Sequence, residues 1–438
     1  MAFNDHKKLT VLGHVWDLAK AAKLEEHPMI QQAVLADAIT DGQELVDGLA
    51  EWLKIQAAIE QMRDVPFKNT RPERLAALAS EGQGILIGRT HHKQLPVVLP
   101  VNHLGQHAVI LGATGVGKST DLVAIGVQAV ALGVRIMFVD RYKQEFRQLT
   151  RHLPNLLVFD HKSLAWNPLQ VHAPLTPFDT IDKFVGTFVK SNSLLDGGEN
   201  MLRKAVHELY RILGIFDGSQ NYPTLYDVLE YIQALRFRPG ARRLGFQESL
   251  INRLEAYLAE CPELYSYRQG LPIEQIGALS FVLETGAMAE RHARFLTSDI
   301  LFTLHRHRMA KGEHANTLRN LVIIDEAKAF APRLNKDLIG YYPIAQLLAE
   351  ARASGIGFVL ADQTSELDSA VFANTATKIA FRLGDGNCQK NMATAMALTP
   401  EQQAYFPRLK VGEAILTNSA IPHPVLIETP KMNEGKTL

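Results

Sequence analysis

Short, largely unbroken apolar runs punctuate the chain at Ala108–Leu111, Arg135–Val139, Leu156–Phe159, Leu321–Ile324, Gly357–Ala361 and Lys378–Phe381. Runs this short, without polar alternation, fit strands covered on both faces, as in a parallel sheet. Between the first two, Lys118–Leu132 reads as a helix, and Gly133 stands where a helix C′ glycine belongs. Strand, helix, strand in that order predicts a doubly wound α/β domain.

From about 176 to 315 the pattern turns helical. Thr224 after Pro223, with Asp227 three residues on, reads as an N-cap with an acidic first turn. Asp196-Gly-Gly-Glu199 and Asp217-Gly-Ser-Gln220 read as loops. Residues 1–80 read as helices, with Leu45, Leu49, Leu53 and Met62 at roughly helical spacing and Pro66 and Pro72 closing the block. Ile85–Arg89 and Val97–Leu99 suggest a hairpin leading into the core, and Glu413–Thr417 and Val425–Glu428 a closing β region. The expected organisation is an N-terminal helical domain (1–80), a first core segment (81–175), a helical insertion (176–315) and a second core segment (316–438).

The chain has 438 residues, 47% of them hydrophobic and 21% charged, enough for a sizeable core. Lys plus Arg and Asp plus Glu balance at 46 each, so net charge points to neither nucleic acid nor membrane. Two distant cysteines, Cys261 and Cys388, support neither a disulfide framework nor a zinc site, and a reducing cytoplasm is expected. Asp17 and Lys20 interrupt any apolar N-terminal run, so no signal peptide is read, and no window reaches the ~20 apolar residues of a membrane span.

Gly112-Ala113-Thr114-Gly115-Val116-Gly117-Lys118-Ser119, followed by Thr120, fits the P-loop pattern without a mismatch, after an apolar strand and at a helix start. Glycines let the backbone wrap closely around phosphate oxygens, and successive N–H groups at the helix N-terminus present positive partial charge to them. Lys118 adds a full charge, and Ser119 offers a hydroxyl to Mg²⁺. The run Leu321–Ile324 ends in Asp325 and Glu326. Asp325 is placed to hold Mg²⁺, directly or through water, and Glu326 to orient or deprotonate the attacking water. ATP and Mg²⁺ are therefore the expected ligands. Gln363, just beyond Gly357–Ala361, is either a γ-phosphate sensor or an ordinary surface amide.

These segments resemble the HerA/FtsK superfamily of hexameric DNA-pumping ATPases. The likeness rests on Gly112–Thr120, on Ile324-Asp-Glu-Ala327 with Phe330 and Pro332, and on the block Leu347–Gln363, continued by Asn374–Leu383 with Arg382. Trp166-Asn-Pro-Leu169 is similar to the conjugative coupling proteins of that superfamily. The resemblance covers about half the chain. It implies a RecA-like core, a ring of six, ATP between subunits and double-stranded DNA through the centre. It makes Gln363 the γ-phosphate sensor and Arg352 an arginine finger acting across the interface, with Arg382 the competing candidate. The chain departs from the pattern at Asp362, where members often carry threonine before the sensor glutamine.

Two basic clusters, Arg236–Arg243 and Arg291–Arg294 continuing to His305–Arg308, either track phosphates in a ring or form solvated helix faces. The pairs His91–His92 and His305/His307 lack a cysteine or acidic partner at ligand spacing, and no metal besides Mg²⁺ is expected. The leading expectation is a ring ATPase that translocates along or remodels double-stranded DNA for a separate nuclease or effector, in defence or repair. A type IV secretion or conjugation ATPase engaging protein substrates, and an ATP-assembled scaffold regulating a partner enzyme, are the alternatives.

Overall fold

The computed structural model of the chain describes residues 16–20, 24, 30, 49–54, 56, 65–67, 71–315, 317–333 and 343–430. They fall into two compact units, Met1–Lys68 with Pro400–Tyr405, and Asn69–Thr399 with Phe406–Leu438. In the first unit, Ala19, Ile30 and Leu53 are buried against one another, and Phe67 packs edge-on to Tyr405. Leu45 and Met62 lie outside the described residues.

The second unit is built on one 11-stranded sheet, with β1 (Gly84–Thr90), β2 (Pro96–Pro100), β3 (Ala108–Leu111), β4 (Arg135–Asp140) and β5 (Leu156–Phe159) in its first half. Later come β6 (Ser280–Glu284), β7 (Asn320–Ile324), β8 (Ile356–Asp362), β9 (Thr377–Ala380), β10 (Glu413–Thr417) and β11 (Val425–Glu428). The order across the sheet is β2-β1-β11-β10-β9-β3-β8-β7-β4-β6-β5. From β9 to β5 every pairing is parallel; β10, β11, β1 and β2 extend the sheet antiparallel.

The parallel block is covered on both faces, which is why its strands read as unbroken apolar runs. Ala108 and Ile110 of β3, Ile136 and Phe138 of β4, Leu321 and Ile323 of β7, and Val359 and Ala361 of β8 pack with Leu122, Ile125 and Ala129 of the helix after the P-loop. The alternate residues Val109, Leu111, Val322, Ile324, Phe358 and Leu360 are equally buried.

The helices are α1 (Pro72–Ser80), α2 (Lys118–Ala131), α3 (Pro177–Asn192), α4 (Asp196–Ile212), α5 (Leu225–Ala234), α6 (Arg242–Glu260), α7 (Ile273–Ala278), α8 (Glu290–Ala310), α9 (Pro343–Glu350), α10 (Ser369–Asn374) and α11 (Gly386–Ala395). Thr224 caps α5 as expected: its Oγ1 accepts from Asp227 N, and the Asp227 carboxylate accepts from Thr224 N. Thr176 and Asp179 build the same box on α3.

Two expected boundaries move. The stretch 176–315 is not wholly helical, because β6 inserts between β4 and β5. Its apolar centre, Phe281-Val-Leu283, is too short to stand out among helices, yet Val282 and Leu283 are fully buried. Likewise α1 does not belong with residues 1–68: Leu75 and Leu78 are part of the sheet's own core.

Trp166-Asn-Pro-Leu169 is an internal joint rather than an exposed recognition element. Trp166 Nε1 donates to Asp299 Oδ2 of α8 at 2.9 Å, and Lys183 Nζ of α3 lies 2.8 and 3.0 Å from the two Asp299 oxygens. Asn167 Nδ2 donates to Pro223 O and Arg268 O, tying the joint to α5 and to the loop before α7. The Lys183 and Asp299 side chains are 2% and 0% exposed, so losing either partner strands a buried charge. Asp299→Ala is expected to cost about 3–5 kcal/mol in urea unfolding. The double variant Lys183→Met/Asp299→Leu should regain most of that loss.

Candidate nucleotide site

β3 is central, paired with β9 on one side and β8 on the other, and the loop that follows it hangs from both neighbours. Gly112 N donates to Asp362 O at 3.2 Å and Ala113 N to Arg382 O at 2.9 Å. A Cβ on Gly112 would lie 2.7 Å from Phe381 Cβ and 2.8 Å from Val116 Cγ2, so no larger residue fits. Gly117 has φ +115°, a conformation that other residues rarely adopt, and there the chain turns into α2. The cradle is thus shaped by strand ends and by two glycines.

Lys118, at the start of α2, is buried. Its Nζ donates to Gly112 O at 2.6 Å and Ala113 O at 2.9 Å, folding back over its own loop. Burial lowers its pKa, opposed by the nearby carboxylate of Asp325. Ser119 is half-buried beside it, and Thr120 is exposed.

Asp325 leaves the end of β7, two strands from β3, and is buried. Glu326 follows at φ +58°, ψ +51°, a left-handed conformation costing a non-glycine residue about 1–2 kcal/mol. That twist carries its carboxylate to Gln363, whose Nε2 donates to Glu326 Oε1 at 2.9 Å. Thr114 Oγ1 in turn donates to Gln363 Oε1 at 2.9 Å. P-loop, acidic strand tip and the turn after β8 therefore form one hydrogen-bonded chain, and Gln363 is its middle link.

Asp362, the departure from the family pattern, is a tie. Its Oδ2 accepts from Lys328 N at 2.7 Å, and its Oδ1 from Gln363 N at 2.8 Å and Thr364 N at 3.0 Å. A 2%-exposed carboxylate thus fastens the turn after Glu326 to the turn carrying Gln363.

Lys143 escaped the sequence reading. It follows β4, where Asp140 accepts from the backbone N–H groups of Lys143, Gln144 and Phe146. Lys143 Nζ lies 3.4 Å from Asp325 Oδ2. Burial works against its charge, but the carboxylates of Asp325, Glu145 and Glu326 together outweigh it and its pKa is raised. Only the adjacency of β4 and β7 could have disclosed it. This ammonium at Asp325 is evidence that the site attracts a cation. A tight glycine cradle, a buried lysine whose partners are loop carbonyls, and a carboxylate facing a positive charge fit a nucleoside triphosphate with a divalent ion.

The family model for the central domain of helicase HerA matches residues 85–266. The DNA double-strand break repair helicase HerA of Sulfurisphaera tokodaii is 21% identical over 396 residues, covering 87% of this chain and 76% of that protein. VirB4 of Thermoanaerobacter pseudethanolicus shares the fold at TM-score 0.59 and 18% identity, over 81% of this chain and 98% of VirB4. So does the plasmid coupling protein TrwB in complex with a non-hydrolysable ATP analogue, at TM-score 0.60 and 12% identity over 84% and 96%. Together these likenesses support a P-loop ATPase of the HerA/FtsK type.

The two candidate arginines sit at opposite ends of the parallel strands. Arg352 is exposed in the turn Ala351–Ser354 that enters β8, whereas the P-loop leaves the C-terminal end of the parallel strand β3. Seven residues of β8 separate the levels, roughly 20 Å, so Arg352 cannot reach its own chain's phosphates. Arg382 follows β9 beside the P-loop, and its carbonyl holds Ala113 N.

Four residues of the second basic cluster are structural, while Arg291 is exposed. Arg294 donates to Ala329 O at 3.0 and 2.8 Å, and Arg308 to Ser354 O at 3.0 Å and to Asn320 Oδ1. His305 meets Ser354 Oγ, and His307 meets Ala173 O and Glu274. All four are buried, because α8 packs among the sheet-covering elements instead of facing solvent. Arg236, Arg238, Arg242 and Arg243 are exposed around the α5–α6 turn. Among the described residues no helix is long and apolar enough to cross a membrane.

Asp121, in the first turn of α2, is 1% exposed, and neither carboxylate oxygen has a hydrogen-bond partner among the described residues. Burial pushes its pKa from 3.8 to about 7. The folded chain then keeps this proton where the unfolded chain releases it. Its contribution is fully present below about pH 4 and is lost as pH rises towards 7. Asp121→Asn cannot ionise. Relative to wild type it should gain stability between pH 5 and pH 8, by about 3 kcal/mol, in urea unfolding at the two pH values.

Proposed function

We propose that the chain is a ring-forming motor that uses ATP hydrolysis to translocate along or remodel double-stranded DNA, six subunits to a ring, for a separate nuclease or effector. The observation that carries the reading is the match along 87% of the chain to a DNA double-strand break repair helicase. It is joined to a site in which P-loop, acidic tip and sensor are already hydrogen-bonded to one another.

In this reading Lys118 leaves the carbonyls of Gly112 and Ala113 for the β- and γ-phosphates, and the N–H groups of Gly112–Thr120 cradle them. Ser119 and Asp325 would hold Mg²⁺, which when bound neutralises charge on the transferring phosphoryl group. Lys143 then gives up Asp325 Oδ2. Gln363 exchanges Glu326 for the γ-phosphate, which frees the Glu326 carboxylate to take a proton from the attacking water. Arg382 serves the site of its own chain, and Arg352 can serve only a neighbour's.

The exposed arginines at the α5–α6 turn supply non-specific phosphate contacts. Arg243 also lines a groove of about 970 Å³ with Arg203, Lys204, Tyr231, Phe237 and Phe246. The secretion or conjugation reading remains the alternative, supported by the fold shared with VirB4 and TrwB.

Steady-state ATP hydrolysis with and without linear duplex DNA is the test. Wild type is expected to be stimulated by DNA, and Lys118→Ala to be inactive in both conditions. Glu326→Gln should bind ATP yet turn it over about 10²–10⁴-fold more slowly. Lys118-dependent turnover indifferent to DNA would overturn the motor reading. Full biological activity of Glu326→Gln would favour the scaffold alternative.

A further inference from the structure

His91 has acidic partners that its sequence neighbourhood hides. β10 and β11 pair antiparallel with Glu413 directly opposite Glu428, and β1 pairs with β11 at Arg89 and Thr90, delivering His91 to the same place. His91 N is bonded to Leu426 O, which fixes the position. Like charges directly opposite on neighbouring strands are destabilising, and a cation held between the two carboxylates would offset that cost.

The geometry points to a metal ion. His91 Nδ1 lies 3.6 Å from Glu413 Oε1 and 3.4 Å from Glu428 Oε1. These separations are long for N–H···O bonds, and the buried Nδ1 makes no hydrogen bond among the described residues. Ligands about 2.1 Å from a tetrahedral ion stand about 3.4 Å apart, so the spacing suits a shared ion. All three ligand atoms fall within 4.8 Å of one another. The Glu413 side chain is 9% exposed and its second oxygen is held by Lys410 N at 2.9 Å, so one carboxylate is oriented in advance.

We propose that His91, Glu413 and Glu428 bind one divalent transition-metal ion, through an imidazole nitrogen and two carboxylate oxygens, with water completing the shell. One nitrogen and two oxygens suit Zn²⁺ or Mn²⁺; Mg²⁺ prefers an all-oxygen octahedron and is a poor match. The site clamps β1, β10 and β11 where they support the P-loop, since Gly412, next to Glu413, donates its N–H to Val116 O at 3.0 Å. It is separate from the Ser119–Asp325 position assigned to Mg²⁺.

The test is calorimetric titration of Zn²⁺ into untagged, chelator-stripped, nucleotide-free protein. One Zn²⁺ per chain is expected. His91→Ala and Glu428→Gln should each weaken binding at least about a hundredfold, while Asp325→Asn should leave it unchanged. Zn²⁺ should raise the unfolding temperature of wild type and not that of Glu428→Gln, an isosteric change at a half-exposed position that keeps the fold testable. No binding by wild type, or binding equally tight in His91→Ala and Glu428→Gln, would overturn the proposal. So would loss of binding in Asp325→Asn. None of these readings uses DNA or ATP, so they stand apart from the motor reading.

Discussion

Parallel register at the centre of the sheet is the constraint on which everything else depends. Pairing of β3 with β8 sets Leu111 opposite Asp362, and pairing of β8 with β7 sets Ile324 opposite Leu360. P-loop, the turn carrying Gln363 and the acidic tip consequently leave the sheet at nearly one level, within side-chain reach. The carboxylate of Asp362 then draws two of these exits together by accepting three backbone N–H groups. A threonine there could not accept the same set, which gives the unusual residue a physical role.

The charged and polar groups of the site are satisfied by one another. Lys118 rests on loop carbonyls, Lys143 faces Asp325, and Gln363 bridges Thr114 and Glu326. Lys118 is buried and could not stay unpaired cheaply, and the loop carbonyls supply its partners. In the proposed cycle nucleotide binding is an exchange of partners, and Gln363 reports it because the same amide faces both P-loop and Glu326. The left-handed backbone of Glu326 is retained because it aims the carboxylate at that amide.

Away from the nucleotide, the chain buries charge where it joins its parts. Asp299, Lys183 and Trp166 lock α3 and α8 to the segment after β5, and Arg294 and Arg308 fasten α8 to the loops around β7 and β8. Basic residues that resemble a phosphate track in one dimension serve here as internal hydrogen-bond donors. Four exposed arginines lie together at the α5–α6 turn.

The sequence by itself determined the elements whose identity is set locally. The P-loop was legible because glycine spacing, lysine and hydroxyl must be contiguous to wrap phosphates. The strands were legible because burial on both faces leaves no room for polar alternation, and Thr224 because a cap bonds three residues away. Lys143, the role of Asp362, the inward burial of Arg294 and Arg308, and the meeting of His91 with Glu413 and Glu428 were not legible. Each depends on which strands are neighbours, and strand order brings together residues that stand dozens to hundreds of positions apart. β6 was missed for a related reason: its short apolar core acquires strand character only from the gap between β4 and β5 that it fills. Local chemistry is written in contiguous residues, whereas partnership across the sheet is decided by packing.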